Sequence, residues 1–250
     1  MSIAALNAKK HVYSAVPMAI SADDCKEIIE AVKKNKRTYM MGETCIYYPC
    51  AMYCKQENQK GTFGSFVYAE SQYFHDLSHF PKAFTDDKPN SAVPPFFYST
   101  HSTAMVLHAT NSYVTEVTAF GYNDVEKDTP FKIGKNPWNN EFSNEFSFMR
   151  LANGGIARVA ECRRIGYKAP SSFISGFYGT KGSYQFNNAQ HLLIEMNEEK
   201  DADGPNSYGI ENKEKVRLTD VSDEINPYDM TAAKEYDDKF KSRVANHAWQ

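Results

Sequence analysis

The sequence predicts an α+β protein: a large, open, mostly antiparallel sheet with helices on one face, preceded by a short parallel βαβ unit. Three observations carry this. A strand, a capped helix and a second strand follow one another over residues 11–43, which is the order of a parallel βαβ unit. Strand-like segments then recur at 66–74, 113–122, 143–151, 155–166, 172–179, 182–187 and 190–196, several joined by short turns such as Asn153-Gly154-Gly155 and Gly179-Thr180-Lys181-Gly182. Aromatic side chains are abundant, with 16 Tyr, 16 Phe and 2 Trp, as broad sheets and ring-lined clefts favour.

Taken in order, residues 3–8 read as the tail of a helix, and His11–Ala15 as a short buried strand ended by Pro17. Ser21 caps the next helix. Asp23 and Asp24 stand in its first turn, and Lys33, Lys34, Lys36 and Arg37 at its end, as the macrodipole prefers. Cys25, Ile28, Ile29 and Val32 form its expected buried stripe, and Glu30 with Lys34 makes an i,i+4 pair. Thr38–Glu43 completes the unit. A helix follows over Pro49–Gln59, then the strand Phe66–Phe74, neither face of which is purely apolar.

The polar loop 75–97 is long enough for a substrate loop. It leads to P-P-F-F-Y-S-T-H-S-T-A-M-V-L-H-A-T-N (94–111), a helix capped by Ser99 and ended at Asn111. His101 falls in its first turn. The dipole there disfavours imidazolium, which leaves the ring free to accept a proton. The same His101 also belongs to a stripe with Ala104, Met105 and His108 that can be plain core. Residues 197–229 are charged and turn-rich, an excursion from the sheet, and Thr231–Ala245 reads as a polar helix.

Composition excludes several classes. The chain has 250 residues, 42% of them hydrophobic, enough for a real core. A net charge of −3 from 28 basic and 31 acidic residues lacks the basic excess of a nucleic-acid surface. No apolar run is long enough to span a bilayer, and the N-terminus has too short an apolar stretch for a signal peptide. Five cysteines without framework spacing fit a reducing, cytoplasmic setting. Cys45, Cys50 and Cys54 contain no C-x-x-C pair, so no metal site is expected.

Several segments together resemble the glucose–fructose oxidoreductase/inositol dehydrogenase/MocA (Gfo/Idh/MocA) family over most of residues 3–195. They are A-L-N-A-K-K-H-V-Y-S-A-V-P-M-A, the capped helix, Y-M-M-G-E-T-C-I-Y-Y-P, K-G-T-F-G-S-F-V-Y-A-E-S-Q-Y-F-H-D, Y-S-T-H-S and Y-G-T-K-G-S, in that order and spacing. The resemblance implies that residues 1–45 are the C-terminal remnant of a Rossmann domain binding NAD or NADP. Residues 46–250 are then the substrate and oligomerisation domain, and the chain is a truncated form, or a descendant that lost the cofactor half. No G-x-G-x-x-G follows a first strand.

The family's Glu-Lys-Pro signature matches Ala15, Val16 and Pro17, the implied cofactor contacts, with Val16 in the lysine position. The Asp that commonly precedes the catalytic His by four is replaced by Phe97, while the His matches at His101, the implied base. Tyr98, Thr100, Tyr73, His75, Asp76, Glu43 and Tyr47 are the candidate substrate contacts, although Glu43 can equally cap the next helix and Asp76 a loop. Arg163 and Arg164 lie on opposite faces, so at most one reaches a pocket. The implied activity is NAD(P)-dependent oxidation of a sugar or cyclitol by a homo-oligomer joined through the open sheet face. Branches with Val in the lysine position and a Tyr-x-Thr-His segment look closest, and related branches include NAD-dependent glycosidases. A non-enzymatic sheet module binding carbohydrate or a partner is the third reading.

Overall fold

A computed structural model describes residues 1–75, 92–127, 129–166, 171–186, 191–196 and 216–221. The sequence-predicted helix over 231–245 and the candidate Asp76 lie outside the described residues.

The chain opens with helix α1 (Ser2–Asn7), strand β1 (Val12–Ser14), helix α2 (Ala22–Asn35) and strand β2 (Tyr39–Met41). β1 and β2 pair in parallel, as the sequence predicted. The Ser21 side chain accepts the Asp24 N–H, and α2 ends with Lys36 in the left-handed conformation. Two expectations fail locally. β1 is not buried, for Tyr13 is 69% exposed. The buried face of α2 is Ile28, Ala31 and Asn35, while Ile29 points outward. A two-stranded sheet covers a narrower strip of helix than the full layer that the wider stripe anticipated. Leu6, Ile28 and Ala31 centre this first hydrophobic cluster.

A 3-10 turn (Cys45–Tyr47) leads into helix α3 (Pro49–Lys60), with Pro49 at its first position and Gly61 in the left-handed conformation at its end. Strand β3 (Phe66–Phe74) follows, then a second 3-10 turn (Pro95–Tyr98) and helix α4 (Thr100–Thr110). The remaining strands are β4 (Val114–Asn123), β5 (Phe142–Leu151), β6 (Ile156–Cys162), β7 (Ser171–Gly179), β8 (Gly182–Phe186), β9 (His191–Met196) and β10 (Val216–Asp220).

Eight of them form one sheet in the order β10-β9-β8-β7-β3-β6-β5-β4, antiparallel throughout except for β3 against β6. β10 corrects the sequence expectation of an excursion over 197–229. V-R-L-T-D is polar enough to read as loop, yet an edge strand needs only backbone pairing with β9.

α3 and α4 cover one face. Cys50, Ala51, Tyr53, Cys54, Met105, Val106 and Ala109 pack on Ala69, Ala157, Val159, Ile174 and Phe177, all buried. On the other face, over which no helix lies among the described residues, Phe148, Phe146 and Phe120 are exposed and Tyr68, Glu70 and Arg158 partly so. Among the described residues no helix is long and apolar enough to cross a membrane.

Candidate active site

The parallel pair β3 and β6 ends where α4 begins, and the candidate residues gather there. His101 is buried at 5% exposure, in the first turn of α4 as the sequence predicted. Its burial belongs to a wider face than the predicted stripe: Ser102, Met105, Val106 and Ala109 are buried with it, and His108 is not. Ser99 occupies the N-cap position, but its side chain makes no capping hydrogen bond. The 3-10 turn runs directly into the helix and leaves Ser99 with near-helical angles, φ −83° and ψ 6°.

Glu43 supplies the feature that the sequence did not reveal. It follows β2, 58 residues before His101, and its Oε1 lies 2.7 Å from His101 Nδ1. The same oxygen accepts the Cys45 N–H at 2.8 Å, so Glu43 also caps the following turn. Burial alone would raise the Glu43 carboxyl. The hydrogen bond and charge of His101, with the Cys45 amide, outweigh it and hold the group below the usual carboxylate range. An ionised Glu43 accepts a hydrogen bond from Nδ1–H, which keeps the proton on Nδ1 and leaves Nε2 as the lone-pair nitrogen. Tyr98 O–H points to that Nε2 at 3.2 Å.

Around this pair the aromatic rings close. Tyr73 meets His101 edge to face with centroids 5.2 Å apart, and Tyr98 does so at 5.0 Å. Burial pushes the Tyr73 hydroxyl upward, so it stays protonated, and it shares a 2.7 Å hydrogen bond with His75 Nδ1. Burial likewise raises Tyr98. Thr100 stands beside the Glu43 carboxylate. Tyr47 does not join this group: it is 60% exposed on its turn. Ala15 is exposed, and Val16 and Pro17 are half-buried at the exit of β1.

Of the two arginines, Arg163 reaches the site. Its guanidinium lies 5.2 Å over the Tyr73 ring and 2.9 Å from Glu161 Oε2, while Arg164 pairs with Asp124. The Glu161–Arg163 pair was illegible beforehand, since acid and base two apart on a strand normally face solvent. Cys50 and Cys54 are core residues, and Cys50 Sγ accepts the Ile174 N–H. Cys45, in contrast, brings its sulfur within 4.8 Å of donor atoms of Glu43 and His101, all three residues being buried. Burial raises the Cys45 thiol well above its ordinary value, and the adjacent Glu43 charge adds to this. The thiol is thus a neutral neighbour of the dyad.

No known protein-family profile matches the chain. In sequence it is 32% identical over 77 residues to an alpha-N-acetylgalactosaminidase of Bacteroides fragilis, covering 31% of this chain and 18% of that protein. A glycosyl hydrolase family 109 protein of Phocaeicola vulgatus is 34% identical over 89 residues, covering 35% and 21%. In structure it is similar to an NAD-binding oxidoreductase from Klebsiella pneumoniae, with TM-score 0.65 and 16% identity over 88% of this chain and 56% of the other. A levoglucosan dehydrogenase in complex with NADH and levoglucosan gives TM-score 0.61 and 20% identity, with the same coverage. The chain thus spans about a fifth of those curated relatives and just over half of those solved structures. In fold, the chain is similar to these NAD-binding oxidoreductases.

Proposed function

We propose that this chain is the sugar-binding and proton-transfer part of a Gfo/Idh/MocA-type enzyme, with His101 as the general base. The observation that carries it is the buried Glu43–His101 contact at 2.7 Å. A carboxylate on Nδ1 fixes the tautomer, orients the ring and stabilises the imidazolium that forms when Nε2 takes a proton. In this reading Glu43 is a positioning residue, taking the part that a carboxylate at Phe97 would have played. Tyr98 marks the place of the substrate hydroxyl at Nε2, and Tyr73, His75 and Thr100 offer further polar contacts. A sugar or cyclitol suits such a cradle of hydroxyls and rings. The solved relative with levoglucosan supports that class.

Where a bound nicotinamide would accept the hydride, the same proton transfer would serve two outcomes: net oxidation of the sugar, or glycoside cleavage by transient oxidation, elimination and hydration. The likeness to an alpha-N-acetylgalactosaminidase favours cleavage of an N-acetylgalactosaminide. NAD or NADP, which supplies hydride exchange where it is bound, was implied by the resemblance. The residues present do not fit its diphosphate. The connection from β1 to α2 holds no glycine, the Ser21 hydroxyl already accepts Asp24 N–H, and Asp23 and Asp24 bring two carboxylates to the helix start. No step is therefore assigned through a nicotinamide, and Ala15, Val16 and Pro17 offer it backbone and apolar contact only.

The proposed division at residues 1–45 and 46–250 is supported by the two hydrophobic clusters. The smaller draws only on residues up to Tyr39, and Cys45 packs with the larger. The test is kinetic, on this chain joined to a dinucleotide-binding domain that supplies bound NAD, with an aryl α-N-acetylgalactosaminide, following nitrophenol release and nicotinamide reduction. His101→Ala should abolish turnover. Glu43→Gln, whose amide turns the imidazole to the wrong tautomer, should lower kcat about 100-fold or more with KM little changed. Turnover that survives His101→Ala would remove His101 from the chemistry.

A further inference from the structure

We propose that Phe97 and Trp138 form an aromatic stacking subsite that reads one face of the pyranose held at His101. The inference rests on the sugar reading above and extends it to residues to which that reading gave no part. Phe97 directly precedes Tyr98, whose hydroxyl meets His101 Nε2, so its ring leaves the turn next to the site, on the neighbouring, solvent-facing side. It is 40% exposed, an apolar ring left in solvent next to Tyr98. Its ring meets that of Trp138 edge to face, with centroids 5.5 Å apart and planes at 90°. Two rings at right angles make a corner, with one wall and one floor.

The loop that carries Trp138 is built to hold it there. Asn136 Nδ2 donates to the carbonyls of Pro130, Lys132 and Asn140, and its Oδ1 accepts the N–H groups of Trp138 and Asn140. Asn140 Nδ2 in turn donates to the carbonyls of Ala92 and Phe142. Phe131, buried at 1% exposure, anchors the base of the loop. On the other side, Phe96 N–H donates to Glu145 and Arg163 reaches the Pro95 carbonyl. The loop that carries Trp138 and the backbone of the turn that carries Phe97 are therefore both tethered before any ligand arrives, which lowers the ordering cost of binding.

Aromatic faces attract C–H groups that carry partial positive charge. A galacto-configured ring, with its axial O4, offers the hydrogens of C3, C4 and C5 as one continuous apolar patch. The gluco epimer has O4 equatorial and leaves that patch broken. The corner should thus discriminate between the two.

The experiment uses the whole chain carrying Trp249→Phe, so that emission reports Trp138 alone, titrated with N-acetylgalactosamine and with N-acetylglucosamine. Calorimetry on the same samples measures affinity. Saturable change of Trp138 emission is expected with the galacto sugar, together with about 10-fold weaker binding of the gluco epimer. Phe97→Leu keeps apolar bulk for folding, and should weaken N-acetylgalactosamine by about 10-fold. If Phe97→Leu and Trp138→Leu bind that sugar as tightly as the parent, or if the parent binds both epimers alike, the stacking subsite is overturned and the proton-transfer reading stands. If the parent binds neither sugar, both readings fall.

Discussion

Glu161 lies wholly out of solvent, beside Arg163 and accepting the Ser102 hydroxyl. Burial is the largest influence on it and raises its carboxyl to about 7, against the opposing pull of Arg163 and Ser102. From its ordinary value of 4.5 up to about 7, the folded chain keeps a proton that the unfolded chain has released. The stabilisation from that proton is complete below 4.5 and is lost as pH rises through 7. Glu161→Gln cannot titrate. Urea unfolding across this range should show the wild type losing about 3 kcal/mol relative to the variant as pH rises. A constant difference would mean that Glu161 titrates normally. At this scale His101 was legible, because a first-turn histidine after a proline-rich loop is a local signal. Its partner Glu43 was not, because a contact across 58 residues leaves no trace in spacing.

At the scale of elements, the turn from β7 to β8 shows what the sheet demands of its connections. A Cβ at Gly179 would strike the Phe63 carbonyl oxygen, which is backbone and also accepts the Lys181 N–H, so neither partner can swing aside. Gly179→Ala should therefore cost about 2–3 kcal/mol in chemical denaturation, with the sugar contacts untouched. A loss under a few tenths would show that the turn can shift. Most strands were readable because β-rich runs are bracketed by Gly, Asn and Pro. β10 escaped because a five-residue strand inside a charged, turn-rich run carries too short a pattern to read. α4 was found for the right periodicity but given too narrow a buried face, since a helix lying between a sheet and α3 is covered on more than one side.

For the whole molecule, the exposed aromatic end of the second sheet face is the dominant feature among the described residues. Phe120, Phe146 and Phe148 stand on adjacent strands at 74%, 37% and 55% exposure. The ion pairs Glu116–Arg150 and Glu70–Arg158 flank them. A patch with both charge signs around an apolar centre is complementary to itself under a two-fold axis. We propose that a second copy covers it. Light scattering behind size exclusion should give a dimer, and Phe120→Lys with Phe148→Glu should give a monomer that retains the fold by circular dichroism. A monomeric wild type at tens of micromolar would refute this.

The Glu43–His101 contact also joins two parts of the chain that otherwise have separate interiors. The carboxylate rides on the peptide leaving the small parallel pair, and the imidazole on a helix seated against the large sheet. Neither cluster can prepare the base by itself. In the proposed mechanism the contact works as an interlock: without the segment that carries Glu43, the His101 imidazole lacks the carboxylate that aims it. On that reading, a base at His101 requires the two interiors to be assembled against each other.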